Sequence, residues 1–519
     1  VAKMEEIADR VTDLVVEYGG SVSGEHGDGR ARTQWNRKFY GDDLWESFRR
    51  TKATFDPDWI LNPGQVCGDE AGESDMTENL RFDPDYAFDA GFDPALNWDN
   101  ENGFRGMTEL CHGCAGCTGY QETTGGVMCP TYRAANEEVL STRGRANMLR
   151  SAMNGNLPDD PLDDEFLHEV MDLCVGCKGC KLDCPSGVDM AKLKTEVKHA
   201  HHQEDGVSLL DRVFGHTEEL LKLGSLFAPV SNWATSLPGA DALAEKTVGI
   251  AAERDLPEFQ RETLRKWFDD RGGSQVPEAA ADRTVLLLPD PYTNYSKVDV
   301  GKAAVRVLEA AGVHVQIPDE VGDSGRPAYS RGLVDRTRET ARENVAALAP
   351  RVQDGWDLVY VEPSDAVMLQ SDYLDLLSGE AVDAVAANAY GVCEYLDSFR
   401  LDEGAGFDAS GESLAYHGHC HQKAEQRDHH AVGVLRRAGY QVDPLDSTCC
   451  GMAGSFGYEA EHYSMSQAIG DILVDQVSDS DADTVTAPGS SCRTQLGERD
   501  DVDVDGEPPH PVEKLADAL

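Results

Sequence analysis

All of the 14 cysteines except Cys67 and Cys393 stand in groups whose spacing suits metal chemistry. Cys174, Cys177, Cys180 and Cys184 follow one another across two, two and three residues, and Pro185 comes directly after. Thiolates at that spacing, closed by proline, hold cubane 4Fe-4S clusters: three sulfurs take three corners of one cluster, and the fourth reaches another. The run therefore needs a companion. Cys111, Cys114 and Cys117 repeat the triplet, and Cys129-Pro130 supplies a distant fourth sulfur after an eleven-residue insertion. We assign one cluster to Cys111, Cys114, Cys117 and Cys184, and the other to Cys174, Cys177, Cys180 and Cys129. Paired CxxC runs also build structural zinc sites, but two triplets with two Cys-Pro partners are more thiols than zinc needs. Cys67 and Cys393 stand alone and read as structural or incidental thiols, the second in an apolar helix.

At 519 residues the chain is long enough for three or four domains to position these sulfurs. It carries 94 acidic against 46 basic side chains, a formal charge of -48 spread over the whole length. Such a surface repels nucleic acid and anionic lipid heads, and beside ordinary apolar content it does not signal disorder. A halophile's cytosol accounts for it best. Cysteines at ligand spacing, not in a disulfide pattern, place the chain in a reducing cytoplasm. No stretch reaches the roughly 18 apolar residues of a membrane span. The first twenty residues lack a signal peptide's charged head and apolar middle and read instead as a helix, Met4 to Tyr18. The expected location is cytoplasmic, with a peripheral place on the inner face of the membrane open to it. The opening on Val1 reads as the middle of a continuing domain, which implies a start lost upstream or a split gene.

Residues 1–68 read as helix, turn, short strand and glycine-rich turn, and 69–103, rich in Asp, Gly, Asn and Pro, as a linker. Residues 104–205 carry both cluster runs on a helical framework. Between the runs, Ala134 to Met153 reads as helix with Arg143, Arg145 and Arg150. Those cations would either raise the potential of a nearby cluster or pair with the plentiful carboxylates. His199, His201 and His202 share no helical face and read as a solvated helix end. Residues 206–280 form a helical connector. Its apolar run from Leu220 to Val230 would dock on a membrane or pack between domains, and with so few basic residues nearby packing is the better fit.

From 281 the pattern becomes α/β: strand Thr284–Leu288, helix Val300–Ala311, strand Asp357–Val361. The block occurs twice, since Val307–Val315 matches Val434–Val442 at an offset of 127 residues. The expected fold is therefore multidomain α and α/β: a helical two-cluster domain, then a duplicated α/β domain over 281–519, with copies at 281–380 and 410–519. Where the second copy has Cys420, Cys449-Cys450-Gly451 and Cys492, the first has Thr293, Asp323-Ser324-Gly325 (one residue out of step) and Asp365. Hydroxyls and carboxylates are poor ligands for a soft iron–sulfur core, so the first copy reads as a structural half.

In the stretch Ser23-Gly24-Glu25-His26-Gly27-Asp28-Gly29-Arg30, glycines let the backbone approach a ligand, Glu25 offers a metal ligand and His26 a titratable base. Together with Phe55-Asp56-Pro57 and Leu61-Asn62-Pro63-Gly64, it resembles the C-terminal end of the FAD-linked oxidase family that includes D-lactate, glycolate and D-2-hydroxyglutarate dehydrogenases. The resemblance implies that Glu25 binds a divalent metal gripping the hydroxy acid, and that His26 takes the hydroxyl proton as hydride leaves for the flavin. It places Asn62, Gly27 and Gly29 near that flavin, while the family's FAD-binding domain and metal-binding histidines belong upstream. The sequences CHGCAGC, GGVMCPTYR, STRGRANMLR and CPSGVDMAKLK, in that order, resemble the FAD and iron–sulfur fusion dehydrogenases of the D-lactate group. They also resemble the iron–sulfur subunits of glycolate oxidase and anaerobic glycerol-3-phosphate dehydrogenase. Cys114 stands where the fused relatives often lack cysteine, which implies a first cluster with an exchangeable ligand.

His419-Cys420-His421, Cys449-Cys450-Gly451 and Ser491-Cys492 resemble the cysteine-rich CCG domain of heterodisulfide reductase. This implies a third iron–sulfur cluster, cubane or not, on Cys420, Cys449, Cys450 and Cys492; its rival is a buried thiol group or a redox disulfide. His417, His419 and His421 would then handle protons at a quinone site. The resulting expectation is an iron–sulfur oxidoreductase, or its electron-transfer half, that oxidises a D-2-hydroxy acid, D-lactate first. FAD would be bound mainly by an upstream half or subunit, and electrons would pass through the two [4Fe-4S] clusters to a quinone or other membrane acceptor. The alternatives are a separate iron–sulfur subunit for glycolate or glycerol 3-phosphate oxidation, and a non-catalytic redox-sensing protein.

Overall fold

A computed structural model describes residues 2–68, 72–73, 91–119, 128–154, 157, 166–409, 411–502 and 506–519. Most of the linker expected over 69–103, and most of the insertion between Cys117 and Cys129, lie outside the described residues. The chain divides into two units, Val1–Phe88 and Asp89–Leu519.

In the first unit, helices Ala2–Glu17 and Thr33–Phe55 flank the glycine-rich turn. Lys38 Nζ reaches Asp13 at 2.7 Å and Trp35 Nε1 donates to Asp9 Oδ1 at 2.6 Å, tying the two helices together. Buried Thr33 and Asn36 fasten the returning segment, each with a 2.9 Å hydrogen bond to the backbone of Val66. The short strand expected before Ser23 is absent: residues 18–29 form turns and bends. A strand there would have no described neighbour to pair with, and glycine supplies no side chain to hold one.

The second unit begins its cluster-bearing part with helices Gly103–Glu109, Pro130–Ala135, Thr142–Met153, Gly179–Asp183 and Met190–Glu204. Their starts are written in the sequence: Ser141 Oγ accepts from Gly144 N at 2.9 Å and Asp189 Oδ1 from Lys192 N at 3.0 Å. The single helix expected over Ala134 to Met153 is broken, because Asn136 turns left-handed at φ 55° after the Pro130–Ala135 helix. His199 and His202 are buried, not solvated as expected, because helix Leu209–Gly215 folds back and brings Asp211 Oδ2 to 3.3 Å from His202 Nε2.

Among the described residues, seven strands make two parallel sheets. β1 (Arg283–Leu288), β2 (Val313–Gln316), β3 (Asp357–Tyr360) and β4 (Ala389–Gly391) are ordered β2-β1-β3-β4; β5 (Ser413–Tyr416), β6 (Gln441–Pro444) and β7 (Thr484–Thr486) are ordered β6-β5-β7. The offset of 127 lays the start of β3 on the start of β7, and both sheets keep the first strand in the centre. Side chains of β1 are buried on both faces: Val285 and Leu287 against helix Val298–Ala310, Leu286 and Leu288 against the layer of Val334, Leu348 and Tyr373. That explains the unbroken apolar run, as expected of a covered parallel sheet. The first of these cores continues through Leu414, Val434 and Leu435 of the second repeat and ends under Val512 and Leu515 of the last helix, so the repeats share one interior.

The connector forms helices Thr217–Leu226, Val230–Thr235 and Ala240–Val248. Leu221 is buried, but Leu220, Leu223, Leu226, Val230 and Leu243 are exposed, with Phe227 at 57% and Trp233 at 62%. Packing between domains, the reading favoured above, thus holds for one edge only. The apolar residues occupy more of the helix surface than a single buried stripe can cover. Among the described residues no helix is long and apolar enough to cross a membrane.

Candidate metal centres

Both cysteine triplets are held by the same backbone device. In Cys111–Cys117 the chain takes positive φ at Gly113 (78°) and Ala115 (65°); in Cys174–Cys180 it does so at the matching places, Gly176 (63°) and Lys178 (60°). Alternating right- and left-handed residues turn successive backbone N–H groups inward, which makes a concave nest for an anionic sulfur core. Alanine and lysine in this strained region, twice at one position of the run, show that the loop shape is imposed by its surroundings.

Cys111, Cys114, Cys117 and Cys184 line one small pocket with Met128 and Arg143. Arg143 N points at Cys117 Sγ from 3.3 Å, and burial, followed by smaller charge effects from Cys129 and Cys111, pushes the Cys117 thiol up. The second set is more deeply enclosed. Cys177 and Cys180 are held well above the ordinary thiol range, first by burial; for Cys177 the neighbouring charges are Cys420, Cys180 and Cys129, and for Cys180 they include Asp189, Cys174 and Cys129. Met190 N points at Cys180 Sγ from 3.3 Å. Arg145 is fully buried beside this set, with Nε donating to Val170 O at 2.8 Å and Nη1 lying 3.9 Å from Cys129 Sγ. Arg143 instead pairs with Glu138 at 2.6 Å.

The third set stands at the carboxyl ends of β5 and β7, where open parallel sheets place their ligands. Cys420, Cys449, Cys450 and Cys492 are all buried, and ligand atoms of His417, Cys450 and Cys492 lie within 4.8 Å of one another. Thiol donors Cys449 and Cys492, aided by His417, hold Cys450 far below the usual range; Cys449 is held above it first by its contact with Cys420 and then with Cys450, and Cys492 first by its contact with Cys450. Gly451 N points at Cys449 Sγ from 3.4 Å. His417 Nδ1 meets Ser447 Oγ at 2.5 Å, and His421 Nε2 meets Gly176 O at 3.0 Å, so the third set is hydrogen-bonded directly to the loop of the second.

A cavity of about 160 Å³ opens between them, lined by Cys174, the third set, and Glu362 and Asp365 of the first repeat. Its wall is cationic for so acidic a chain. Lys178 and Arg326 overcome the effect of burial to hold Asp372 below the carboxylate range, Arg331 pairs with Asp211 and Glu459, and burial pushes Lys194 down to about 8. Sulfurs in three sets, all buried except the exposed Cys114 and the half-buried Cys174 and Cys184, with backbone N–H groups aimed at one sulfur of each, fit iron–sulfur clusters, which need anionic sulfur in a dry, donor-rich shell. Arg331, Lys178 and the carboxyls Asp290 and Glu362 were missed in the sequence. The usable signal was Asp290-Pro291 directly after an apolar strand, the carboxyl end of a parallel sheet.

The residues of the glycine-rich turn are placed differently. Glu25 and His26 stand in solvent with side chains 90% and 79% exposed, and His26 Nε2 lies 3.4 Å from Glu25 Oε1. Gly27 and Gly29 both take positive φ, and a Cβ at either would meet nothing. Asn62, left-handed at φ 45°, shares a surface pocket with Gly29, Arg30 and Phe48; neither Glu25 nor His26 lines it. Among the described residues, no group of three convergent ligands includes Glu25 or His26. Cys67 and Cys393 are buried, and burial raises both thiols, Cys393 to about 12.

Three family models match the chain: the C-terminal domain of FAD linked oxidases over residues 1–66, the 4Fe-4S dicluster domain over 107–188, and the cysteine-rich CCG domain over 414–497. Fold, thiol sets and matches together make the chain similar to iron–sulfur oxidoreductase chains, with an N-terminal end similar to the C-terminal domain of FAD linked oxidases. Among its relatives is the D-2-hydroxyglutarate dehydrogenase of Escherichia coli K12, 26% identical over 99% of this chain and 53% of the relative. One subunit of the anaerobic glycerol-3-phosphate dehydrogenase of the same organism is 28% identical over 60% of this chain and 78% of its own length. The glycolate oxidase iron-sulfur subunit, again from that organism, is 23% identical over 75% of this chain and 90% of the relative. The chain spans about half the length of the D-2-hydroxyglutarate dehydrogenases it matches.

Proposed function

We propose that this chain is the iron–sulfur-bearing half of a flavin-dependent D-2-hydroxy acid dehydrogenase. The relatives that span it make D-2-hydroxyglutarate the first substrate to test, with D-lactate second. The observation that carries the reading is the succession of three thiol sets in one packed unit, with Cys117 influenced by Cys129 and Cys177 by Cys420. In this reading Cys111, Cys114, Cys117 and Cys184 hold one cluster, Cys174, Cys177, Cys180 and Cys129 a second, and Cys420, Cys449, Cys450 and Cys492 a third. Its parts are an oxidase end at 1–68, a linker at 69–103, a cluster domain at 104–205, a connector at 206–280 and the duplicated domain at 281–519.

Iron–sulfur clusters, when bound, accept and release single electrons. The chain's own residues do the rest. The nests at Gly113–Ala115 and Gly176–Lys178 fix the sulfurs, burial excludes water, and Arg145 sets a cation beside Cys129. At the oxidase end, Glu25 would orient the hydroxy acid and His26 take its hydroxyl proton once an FAD-binding half or subunit encloses them. The acceptor is a quinone or another membrane carrier, and the exposed face of Leu223, Phe227 and Trp233 supports a peripheral position at the membrane.

The test is anaerobic electron paramagnetic resonance on the chain combined with its flavin half, in molar potassium chloride. Addition of D-2-hydroxyglutarate, or failing that D-lactate, should produce reduced-cluster signals, and dithionite should produce them in the isolated chain. Signals with dithionite only, in the combined protein, would overturn the substrate class. No cluster signal under either reductant would overturn the whole reading.

A further inference from the structure

The offset of 127 that relates the two sheets also maps one site onto the other. His417, Cys420 and Cys492 correspond to Asp290, Thr293 and Asp365, and Cys449-Cys450-Gly451 corresponds, one residue out of step, to Asp323-Ser324-Gly325. The backbone keeps the correspondence, since Gly325 and Gly451 both take positive φ, 82° and 94°. The first repeat therefore holds the second repeat's site in oxygen instead of sulfur. Thr293 donates to Asp290 through its N–H at 2.9 Å and through its hydroxyl, Ser324 Oγ donates to Asp365, and Ser490 N reaches across from the second repeat to Glu362 at 2.8 Å.

Asp290, Glu362 and Asp365 are buried, and none is ion-paired to a lysine or arginine among the described residues. Around them stand Asp323, Tyr292 and Tyr360, with His419 Nε2 3.9 Å from Glu362. The Tyr360 hydroxyl, fully buried and influenced by Tyr373, Asp365, Asp323 and Asp290, has no hydrogen-bond partner among the described residues. Three carboxylates buried together with no lysine or arginine paired to them carry a steep electrostatic penalty, so they must hold a metal ion or protons. A metal ion needs convergent ligands. Among the described residues the groups of three that converge within 4.8 Å are His417, Cys450 and Cys492, and Glu459, Glu461 and His462, not these oxygens. Protons remain.

We propose that Asp290, Glu362 and Asp365 form a proton store that serves an electron acceptor of the quinone class reduced in the adjoining cavity. Glu362 and Asp365 line that cavity opposite the third thiol set, and Asp290 lies behind them. The proposal rests on the function argued above. Oxidation of a D-2-hydroxy acid to the 2-oxo acid releases two electrons and two protons. Reduction of a quinone consumes two of each: its two C=O groups become C–O–H, the electrons come from the hydroxy acid, the protons come from the carboxyl groups, and solvent refills those. Burial raises all three groups above the ordinary carboxyl range, and repulsion from the neighbouring carboxylates adds to it at Asp290, which reaches about 6, and at Asp365, as a store needs. The first repeat is then more than the structural half its missing thiols suggested.

The test is infrared spectroscopy of the full chain in H2O and D2O at pH 7. A protonated-carboxyl C=O band that shifts on deuteration is expected, weakened in Asp365→Asn and again in Asp365→Asn with Asp290→Asn. Absence of the band in the wild-type chain, or a band untouched by both changes, would overturn the proposal. So would one equivalent of a divalent metal, retained on dialysis by the wild type and lost in Asp365→Asn. With the flavin half present, the ratio of quinone reduction to ferricyanide reduction, which consumes no protons, should fall about 100-fold in Asp365→Asn. An unchanged ratio would overturn the store's role. No hydroxy-acid-driven reduction of either acceptor by the wild type would instead sink the proposed function and leave the infrared result standing.

Discussion

The glycine-rich turn of the first unit and the thiol sets of the second carry chemistry of equal promise in the sequence, and the molecule treats them in opposite ways. Cys177, Cys180 and Cys450 are buried among backbone donors, neighbouring sulfurs or apolar side chains, and Cys450 also faces the cavity. Around Glu25 and His26 there is solvent, and their partner is each other. A site whose second shell lies in the same packed unit is fixed by its own fold. A site without one depends on what is laid over it. Mutations should therefore act on folding and cofactor content in the second unit, and on turnover alone in the first.

The largest expected effect is Cys177→Ala. It should remove one cluster, about four iron atoms per chain by chemical assay, and with it electron delivery past that point. Retention of full iron would mean that the buried thiols are not ligands. Next comes Arg331→Met. Arg331 spans Asp211 and Glu459, all three buried, and its loss leaves Asp211 to Lys198 and His202 and Glu459 to His462, so denaturant titration should show about 3 kcal/mol of destabilisation. A change near zero would mean that water reaches this network as it reaches Glu25.

A smaller effect depends on pH. His510 caps the last helix with its Nδ1 accepting from Val512 N at 2.9 Å, and burial pushes its pKa down to about 3. Its folded form binds fewer protons than the unfolded chain, so this contribution is complete above pH 6.5 and declines as pH falls toward 3, by about 1.4 kcal/mol per unit. His510→Asn keeps a cap acceptor and should remove that slope, seen as a smaller loss of urea midpoint between pH 7.5 and 5.5. Equal slopes would place the ring in water. Smallest of all, Glu25→Gln and His26→Asn should leave the unfolding midpoint unmoved while lowering hydroxy-acid turnover with the flavin half about 100-fold. A shifted midpoint would break the contrast between the regions.

The sequence was most legible where covalent spacing does the work. The CxxCxxC runs dictate which sulfurs can share a loop, and the match of Val307–Val315 to Val434–Val442 announces two sheets of one design. What it could not show depends on partners distant in the chain. His202 reads as a surface residue until Asp211 folds over it, and β4 is three residues long, too short for any periodicity. The expected strand before Ser23 failed because alternation without a neighbouring strand makes no sheet. The carboxyls Asp290 and Glu362 were invisible as a site because their meaning comes from the facing repeat.

The exposed stripe of Leu223, Phe227, Val230 and Trp233 has a colloidal consequence. In dilute buffer a charge of -48 keeps copies of the chain apart and masks any adhesiveness of that stripe. In molar salt the Debye length shrinks to about 3 Å, and that repulsion no longer acts beyond contact. Salting-out ions also strengthen apolar association. The same surface is thus quiet in fresh water and sticky in brine, and ionic strength sets how strongly the chain adheres.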